Sequence, residues 1–194
     1  MCGRYTGYID ESDELKTIYT LAKKAYPNTA FKTGEIFPTN TAPIIIQDKT
    51  ALRPVPGYWG YPGFKGNDLL INARAETAYQ KPTFADAFRY GRCIVPTTGY
   101  FEWDKQKTKY LFRKSEQSIL YLAGLYKVYQ DTVKYVILTT AANSSVADVH
   151  HRMPLLLDKN DLRKWMADEI FALEYINREM PALIRQSVLQ SDSS

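Results

Sequence analysis

Between Asp13 and Ala25 the apolar residues Leu15, Ile18, Tyr19 and Ala22 fall at i, i+3, i+4 and i+7. One face of that segment is apolar and the other polar, which predicts an amphipathic helix closed by Tyr26-Pro27-Asn28. A loop holding Phe37-Pro38-Thr39-Asn40 follows, and then Pro43–Gln47 predicts a short buried strand. The segment from Pro54 to Asn67, rich in proline and glycine around Tyr58-Trp59-Gly60, predicts a loop that carries large aromatics. Leu69–Ala73 predicts a strand, and Thr83-Phe84-Ala85-Asp86 resembles a capping box opening a short helix to about Tyr90.

From Arg92 onward the pattern is mostly β. Strands are predicted at Arg92–Val95, Tyr100–Trp103, Lys109–Arg113, Ile119–Tyr126, Val133–Thr139 and Leu155–Leu157. The polar stretch Asp104–Lys107 predicts a hairpin connection. Asp158–Met166 and Glu169 to about Leu189 predict helices, with frayed residues at the end. No internal repeat or low-complexity linker interrupts the chain. The expectation is one α+β domain over residues 1–194, with a largely antiparallel, barrel-like β core and flanking helices.

Composition narrows the class. A chain of 194 residues that is 45% hydrophobic suits one domain, at most two, with a sizeable core. No apolar run approaches the ~18–20 residues of a membrane span, and the N-terminus lacks a signal-peptide pattern. Two cysteines, Cys2 and Cys93, make no disulfide framework and point to a reducing compartment. With the adjacent His150 and His151 they do not match zinc-ligand spacing, so no metal or other cofactor is expected. A net charge of +4 permits a nucleic-acid partner without demonstrating one. Fifteen tyrosines offer base-stacking surfaces, but strand propensity accounts for most of them.

Cys2 carries the most distinctive chemistry. A small second residue suits N-terminal methionine excision, which would put a thiol and an α-amine on adjacent carbons of one residue. Both groups titrate near ~7.7–8.5, so both have reactive fractions at neutral pH. An amine condenses with an aldehyde to an imine, and the neighbouring thiol closes on it as a five-membered thiazolidine. By position alone Cys2 could equally be incidental.

Other segments offer partners for it. Asn72-Ala73-Arg74-Ala75-Glu76 leaves an amide, a guanidinium and a carboxylate at a strand end, suited to orienting a substrate and gripping phosphate, or else to a turn with an Arg–Glu ion pair. In Gly99-Tyr100-Phe101-Glu102-Trp103, alternation puts Tyr100 and Glu102 on one face. Glu102 is thus either a carboxylate with raised pKa among aromatics or an edge residue facing water. His150-His151-Arg152-Met153-Pro154 holds the only histidines. Alternation places His150 with Arg152 and turns His151 away. Cys93, in an apolar strand, reads as structural.

Taken together and in order, these segments resemble the SRAP family, the SOS-response-associated peptidases, regarded as proteins that crosslink to abasic sites in single-stranded DNA. The matching pieces are Met1-Cys2-Gly3-Arg4-Tyr5, Asn40-Thr41-Ala42-Pro43, Trp59-Gly60, Asn72-Ala73-Arg74-Ala75-Glu76-Thr77, Arg92-Cys93-Ile94-Val95-Pro96, Gly99-Tyr100-Phe101-Glu102-Trp103, Ala123-Gly124-Leu125 and His150-His151-Arg152-Met153-Pro154. The resemblance implies the SRAP fold and a thiazolidine crosslink through Cys2 after Met1 removal, with a possible lyase side reaction. It implies catalytic roles for Cys2, Asn72, Glu102 and His150. Arg4, Arg74 and Arg152 would hold phosphates, and Trp59 and the Pro38–Asn40 loop, Asn40 included, would lie where the strand bends. The implied partner is single-stranded DNA containing abasic sites. The implied protein is a cytoplasmic monomer, nucleoid-associated in use, neither secreted nor bound to a membrane. The segment Tyr61–Leu70 is shorter than the family's usual one. An N-terminal-nucleophile amidohydrolase or autopeptidase, and a non-catalytic binder of modified bases, stand as alternatives.

Overall fold

The computed structural model describes residues 2–63, 68–114 and 119–188. In chain order the elements are β1 (Tyr5–Gly7), α1 (Asp13–Ala25), β2 (Gly34–Ile36), β3 (Thr41–Asp48), β4 (Ala51–Trp59), β5 (Tyr61–Pro62), β6 (Leu69–Leu70), β7 (Asn72–Arg74), α2 (Ala75–Ala78) and α3 (Ala85–Tyr90). There follow β8 (Arg92–Thr97), β9 (Gly99–Trp103), β10 (Lys109–Arg113), β11 (Leu120–Tyr129), β12 (Thr132–Ala141), β13 (Arg152–Pro154), β14 (Leu156–Leu157), α4 (Leu162–Ala167), α5 (Glu169–Tyr175) and β15 (Ile184–Val188).

Five strands close on themselves. β12 pairs with β4, β4 with β3, β3 with β8, β8 with β11, and β11 returns to β12. Only the β4–β12 pairing in that ring is parallel. A second sheet, in the order β15-β10-β9-β1-β2, lies against the barrel. Closure leaves the ring no free edge strand, and its interior is filled by Ile44, Val55, Val95, Leu122, Tyr135 and Ile137, all nearly inaccessible. The single α+β domain with a barrel-like antiparallel core is the expected architecture.

α1 spans the expected residues because its pattern is local: Ser12 caps it, its hydroxyl accepting from the Leu15 N–H at 3.3 Å, and Leu15, Tyr19 and Ala22 are buried. Three expectations are corrected. The segment from Pro54 runs as strand β4 to Trp59, not as loop. β4 meets β12 only at Tyr58 and Trp59, so over Pro54 and Pro56 its second edge has no ladder for a proline to interrupt. The helix expected to about Leu189 stops at Tyr175, and Ile184–Val188 pairs antiparallel with β10, whose edge supplies hydrogen bonds that helical periodicity cannot anticipate. Finally, Thr83 does not cap α3; the cap position is Phe84, without a side-chain hydrogen bond. The expected fraying after Leu189, and part of the short Tyr61–Leu70 segment, lie outside the described residues. Among the described residues no helix is long and apolar enough to cross a membrane.

Candidate active site

The N-terminal segment runs into β1, an inner strand of the second sheet, between β9 and β2. Tyr5 pairs with Tyr100 of β9 and Ile36 of β2, and the Phe101 N–H donates to the Arg4 carbonyl at 2.9 Å. Behind it, the Thr6 hydroxyl lies 2.7 Å from that of Thr98, and the Thr97 hydroxyl donates to the Thr6 carbonyl at 2.6 Å. The Tyr5 hydroxyl lies 2.6 Å from that of Tyr135, and its ring leans on Trp59 with centroids 5.1 Å apart. These contacts hold Cys2 in a fixed place.

Cys2 is fully buried. Its thiol lies 3.9 Å from the Arg4 carbonyl. Burial pushes that thiol well above its ordinary pKa, and the nearby Glu102 carboxylate adds to the effect, so sulfur stays protonated at neutral pH. Asn72, on β7, donates from Nδ2 to the Cys2 carbonyl at 2.9 Å. Its Oδ1 is buried without a hydrogen-bond partner.

Glu102 is 3% exposed. It lies on the face of β9 that points inward, and β9 is flanked by β1 and β10, so the water-facing edge reading is excluded. Burial raises its carboxyl pKa, with the Trp103 backbone N–H and the charge of His151 opposing without cancelling. A thiol, an amide and a carboxyl thus converge from three distant parts of the chain.

The histidines correct the alternation argument. Asn143–Val149 forms turns, and the His150 and His151 rings stack with centroids 4.5 Å apart and planes at 27°, not on opposite faces. His150 is half-buried, and its Nδ1 lies 3.0 Å from the Arg152 N–H and 3.1 Å from the Arg152 carbonyl. Burial lowers its pKa, which favours the neutral ring. His151 is exposed, but its charge is felt at Glu102.

The guanidinium groups differ from one another. Arg74, at the end of β7, is exposed. Arg152 is buried and grips Glu76 with two hydrogen bonds of 2.6 and 2.8 Å, while also donating to the Thr139 carbonyl. The Arg–Glu pair considered for Arg74 is thus made by Arg152, which braces the turn after β7 and holds His150 through its backbone. Arg4 pairs with Glu35 at 2.9 Å, its guanidinium 4.2 Å from the Phe37 ring centroid and 5.0 Å from that of Trp103.

Two residues expected at the DNA also hold the fold together. Trp59 is wholly buried; it stacks on Tyr135 with planes 10° apart and donates from Nε1 to the Ile71 carbonyl. It anchors the Tyr5 segment. The Asn40 side chain accepts from the Phe37 N–H at 3.0 Å, closing a turn in which Thr39 has φ +75°, so it shapes the Pro38–Asn40 loop. Cys93 is a buried residue of β8, as expected. Sequence reasoning missed Glu35, on which the Arg4 and Lys109 cations converge only through strand pairing.

Comparison with known proteins finds relatives in sequence and in fold. The abasic site processing protein YedK of Escherichia coli is 29% identical over 185 residues, covering 90% of this chain and 83% of its own. YoaM of Bacillus subtilis, named likewise, is 32% identical over 196 residues, covering 91% and 83%. A crystal structure of a protein from Bacteroides thetaiotaomicron superposes with a TM-score of 0.77 at 21% identity, covering 97% of this chain and 93% of that one. A phage-related protein from Bordetella bronchiseptica gives 0.76 at 24%, covering 97% and 95%. Residues 1–186 match the family described as SOS response associated peptidase (SRAP), and the chain belongs to that family.

Proposed function

We propose that this protein processes abasic sites in single-stranded DNA by forming a covalent thiazolidine crosslink through Cys2 after Met1 is removed. The observation that carries the reading is the convergence of Asn72 and Glu102 on a buried Cys2. The names of the relatives, abasic site processing proteins, give the substrate class.

The open form of an abasic deoxyribose bears an aldehyde. The freed α-amine of Cys2 attacks it to give a carbinolamine, which loses water to become an imine. The thiol then adds across the C=N bond: sulfur bonds to C1′ and its proton ends on nitrogen. The amine is the first nucleophile, and the thiol gives its proton to the imine nitrogen as it closes, so the thiolate is needed only at that last step. Glu102, with its raised pKa, relays protons in ring opening and dehydration. The unpartnered Asn72 Oδ1 accepts a hydrogen bond from the amine while its Nδ2 holds the carbonyl of the same residue. Neutral His150 binds the sugar hydroxyl released on ring opening. Exposed Arg74 meets a phosphate, and Arg152 acts as a positioning residue. If sulfur fails to close, the imine permits β-elimination, a lyase side reaction.

The test is incubation with a single strand carrying one abasic site, followed by a denaturing gel. Protein shown by intact mass to lack Met1 gives a shifted band, and Cys2→Ala gives none. A Cys2 nitrogen still acylated by Met1 is an amide with its lone pair delocalised, so Met1-retaining protein binds without a denaturation-stable product. Absence of the band from correctly processed wild-type protein would remove the reading.

A further inference from the structure

Glu35 sits between two cations. Its Oε2 accepts from Arg4 Nη1 at 2.9 Å and its Oε1 from Lys109 Nζ at 2.5 Å. β2, β1, β9 and β10 bring these residues to one place on the same sheet, with Thr6 opposite Glu35 and Lys109 opposite Trp103. Both cations lie over aromatic rings: Arg4 between Phe37 and Trp103, and Lys109 3.9 Å from the Phe101 centroid. The Lys109 side chain is only 12% exposed. Arg4 Nε is buried without a hydrogen-bond partner.

A phosphodiester presents one negative charge on two non-bridging oxygens, as a carboxylate does. Arg4 and Lys109 each take a different oxygen of Glu35, the arrangement that two phosphate oxygens would satisfy. Arg4 is two residues, at most about 7 Å of chain, from Cys2, close enough for a strand whose sugar meets the thiol to set a neighbouring phosphate on the outer face of the sheet, where Lys109, Phe101 and Trp103 lie opposite Glu102. Glu35 belongs to β2, the edge strand of its sheet, and is partly solvent-exposed, so its side chain has water to turn into.

From this we infer that Arg4 and Lys109 form a phosphate subsite which Glu35 fills in the DNA-free protein and vacates when a strand binds. The carboxylate stands in for the phosphate: it keeps two like charges together in the empty site and sets a threshold that only a well-seated strand overcomes. The inference rests on the proposed single-strand substrate, but concerns binding and not crosslinking.

The test uses unmodified single-stranded oligonucleotide, so the crosslink plays no part. Glu35→Gln removes the competitor and is expected to tighten binding about three- to tenfold at low salt. Lys109→Met is expected to weaken binding and make the slope of log affinity against log salt shallower by about 0.7, the contribution of one phosphate on a single strand. In wild-type protein, carbodiimide labelling of Glu35, read by peptide mass spectrometry, is expected to rise when the strand is added; this readout survives any misfolding of the variants. Binding that is unchanged or weaker in folded Glu35→Gln, or labelling of Glu35 that stays level or falls on adding DNA, makes Glu35 a permanent brace and overturns the inference. Failure of the wild-type protein to bind any single strand removes the proposed function itself, and this inference with it.

Discussion

Asn72 holds Cys2 by its main chain: Nδ2 donates to the Cys2 carbonyl at 2.9 Å, and Oδ1 beside it is buried with no partner. A buried acceptor left unsatisfied costs about 1–3 kcal/mol, so the pair is explained better by an incoming donor than by stability. The amine exposed when Met1 leaves belongs to the residue whose carbonyl Asn72 already holds. Asn72→Ala removes both the tether and the acceptor. Crosslinking on abasic single strands is expected to slow about 10-fold or more, the scale for misplacing a reacting group. Stability should fall by no more than about 1–3 kcal/mol, because the Cys2 carbonyl loses its donor while the unsatisfied Oδ1 is removed. Loss of stability with an unchanged rate would make Asn72 a structural residue.

Trp59 separates a core role from a DNA role. Its ring is wholly buried between Tyr5 and Tyr135. Trp59→Ala is expected to cost about 3–5 kcal/mol in chemical denaturation, through lost burial and the cavity left behind. Trp59→Phe keeps much of the packing and should leave affinity for single-stranded DNA near wild type at temperatures where it is folded. A specific loss of affinity in folded Trp59→Phe would restore a direct contact with the strand.

The contrast between Trp59 and Glu102 shows what the sequence could convey. Short-range patterns came through: α1 and β10 have the expected bounds because each is written in consecutive residues, and alternation rightly paired Tyr100 with Glu102. Which face of β9 is inside depends on β1 and the barrel behind it, so burial of Glu102 was not readable from its own strand. Trp59 belongs to a matching motif, but a motif does not say whether its ring faces solvent or Tyr135. β15 is made by β10, a partner about seventy residues earlier, and the Glu35–Lys109 pair likewise joins residues far apart in sequence. The histidines failed for another reason: alternation presumes an extended chain, and the turns before His150 stack the two rings together.

That stacking gives the histidines different tests. His150 is held by the backbone of Arg152 and kept neutral by burial, so His150→Ala is expected to slow crosslinking across the neutral range, by about 10²-fold if it handles a proton. His151 is exposed, and the neighbouring His150, when protonated, depresses its pKa. Its positive charge, present only at acidic pH, pulls the Glu102 pKa down. His151→Ala should therefore leave the rate at neutral pH near wild type and move the acidic limb of the rate–pH profile upward. A large loss at neutral pH from His151→Ala would assign the catalytic role to the wrong ring.

Glu102 should be retained at the expense of stability. Burial raises its folded-state pKa above the ordinary ~4.3 of an unfolded glutamate. A carboxyl with a raised folded pKa supports folding fully below the unfolded value, and that support is lost as pH rises through the folded value. At neutral pH its ionised form is therefore a burden on the native state. Glu102→Gln keeps the shape and removes the charge, and it also lowers the pKa of the Cys2 thiol, which that charge helps to raise. The variant should unfold at a higher temperature than wild type at pH 7, and the difference should shrink as pH falls toward about 4. Over the same range its crosslinking should be slower by about 10²-fold or more, since a glutamine cannot relay protons. Calorimetry across pH and timed denaturing gels measure the two effects independently. A Glu102→Gln protein that crosslinks at the wild-type rate would take Glu102 out of the chemistry, and one less stable than wild type at neutral pH would mean that the buried carboxylate contributes net stability.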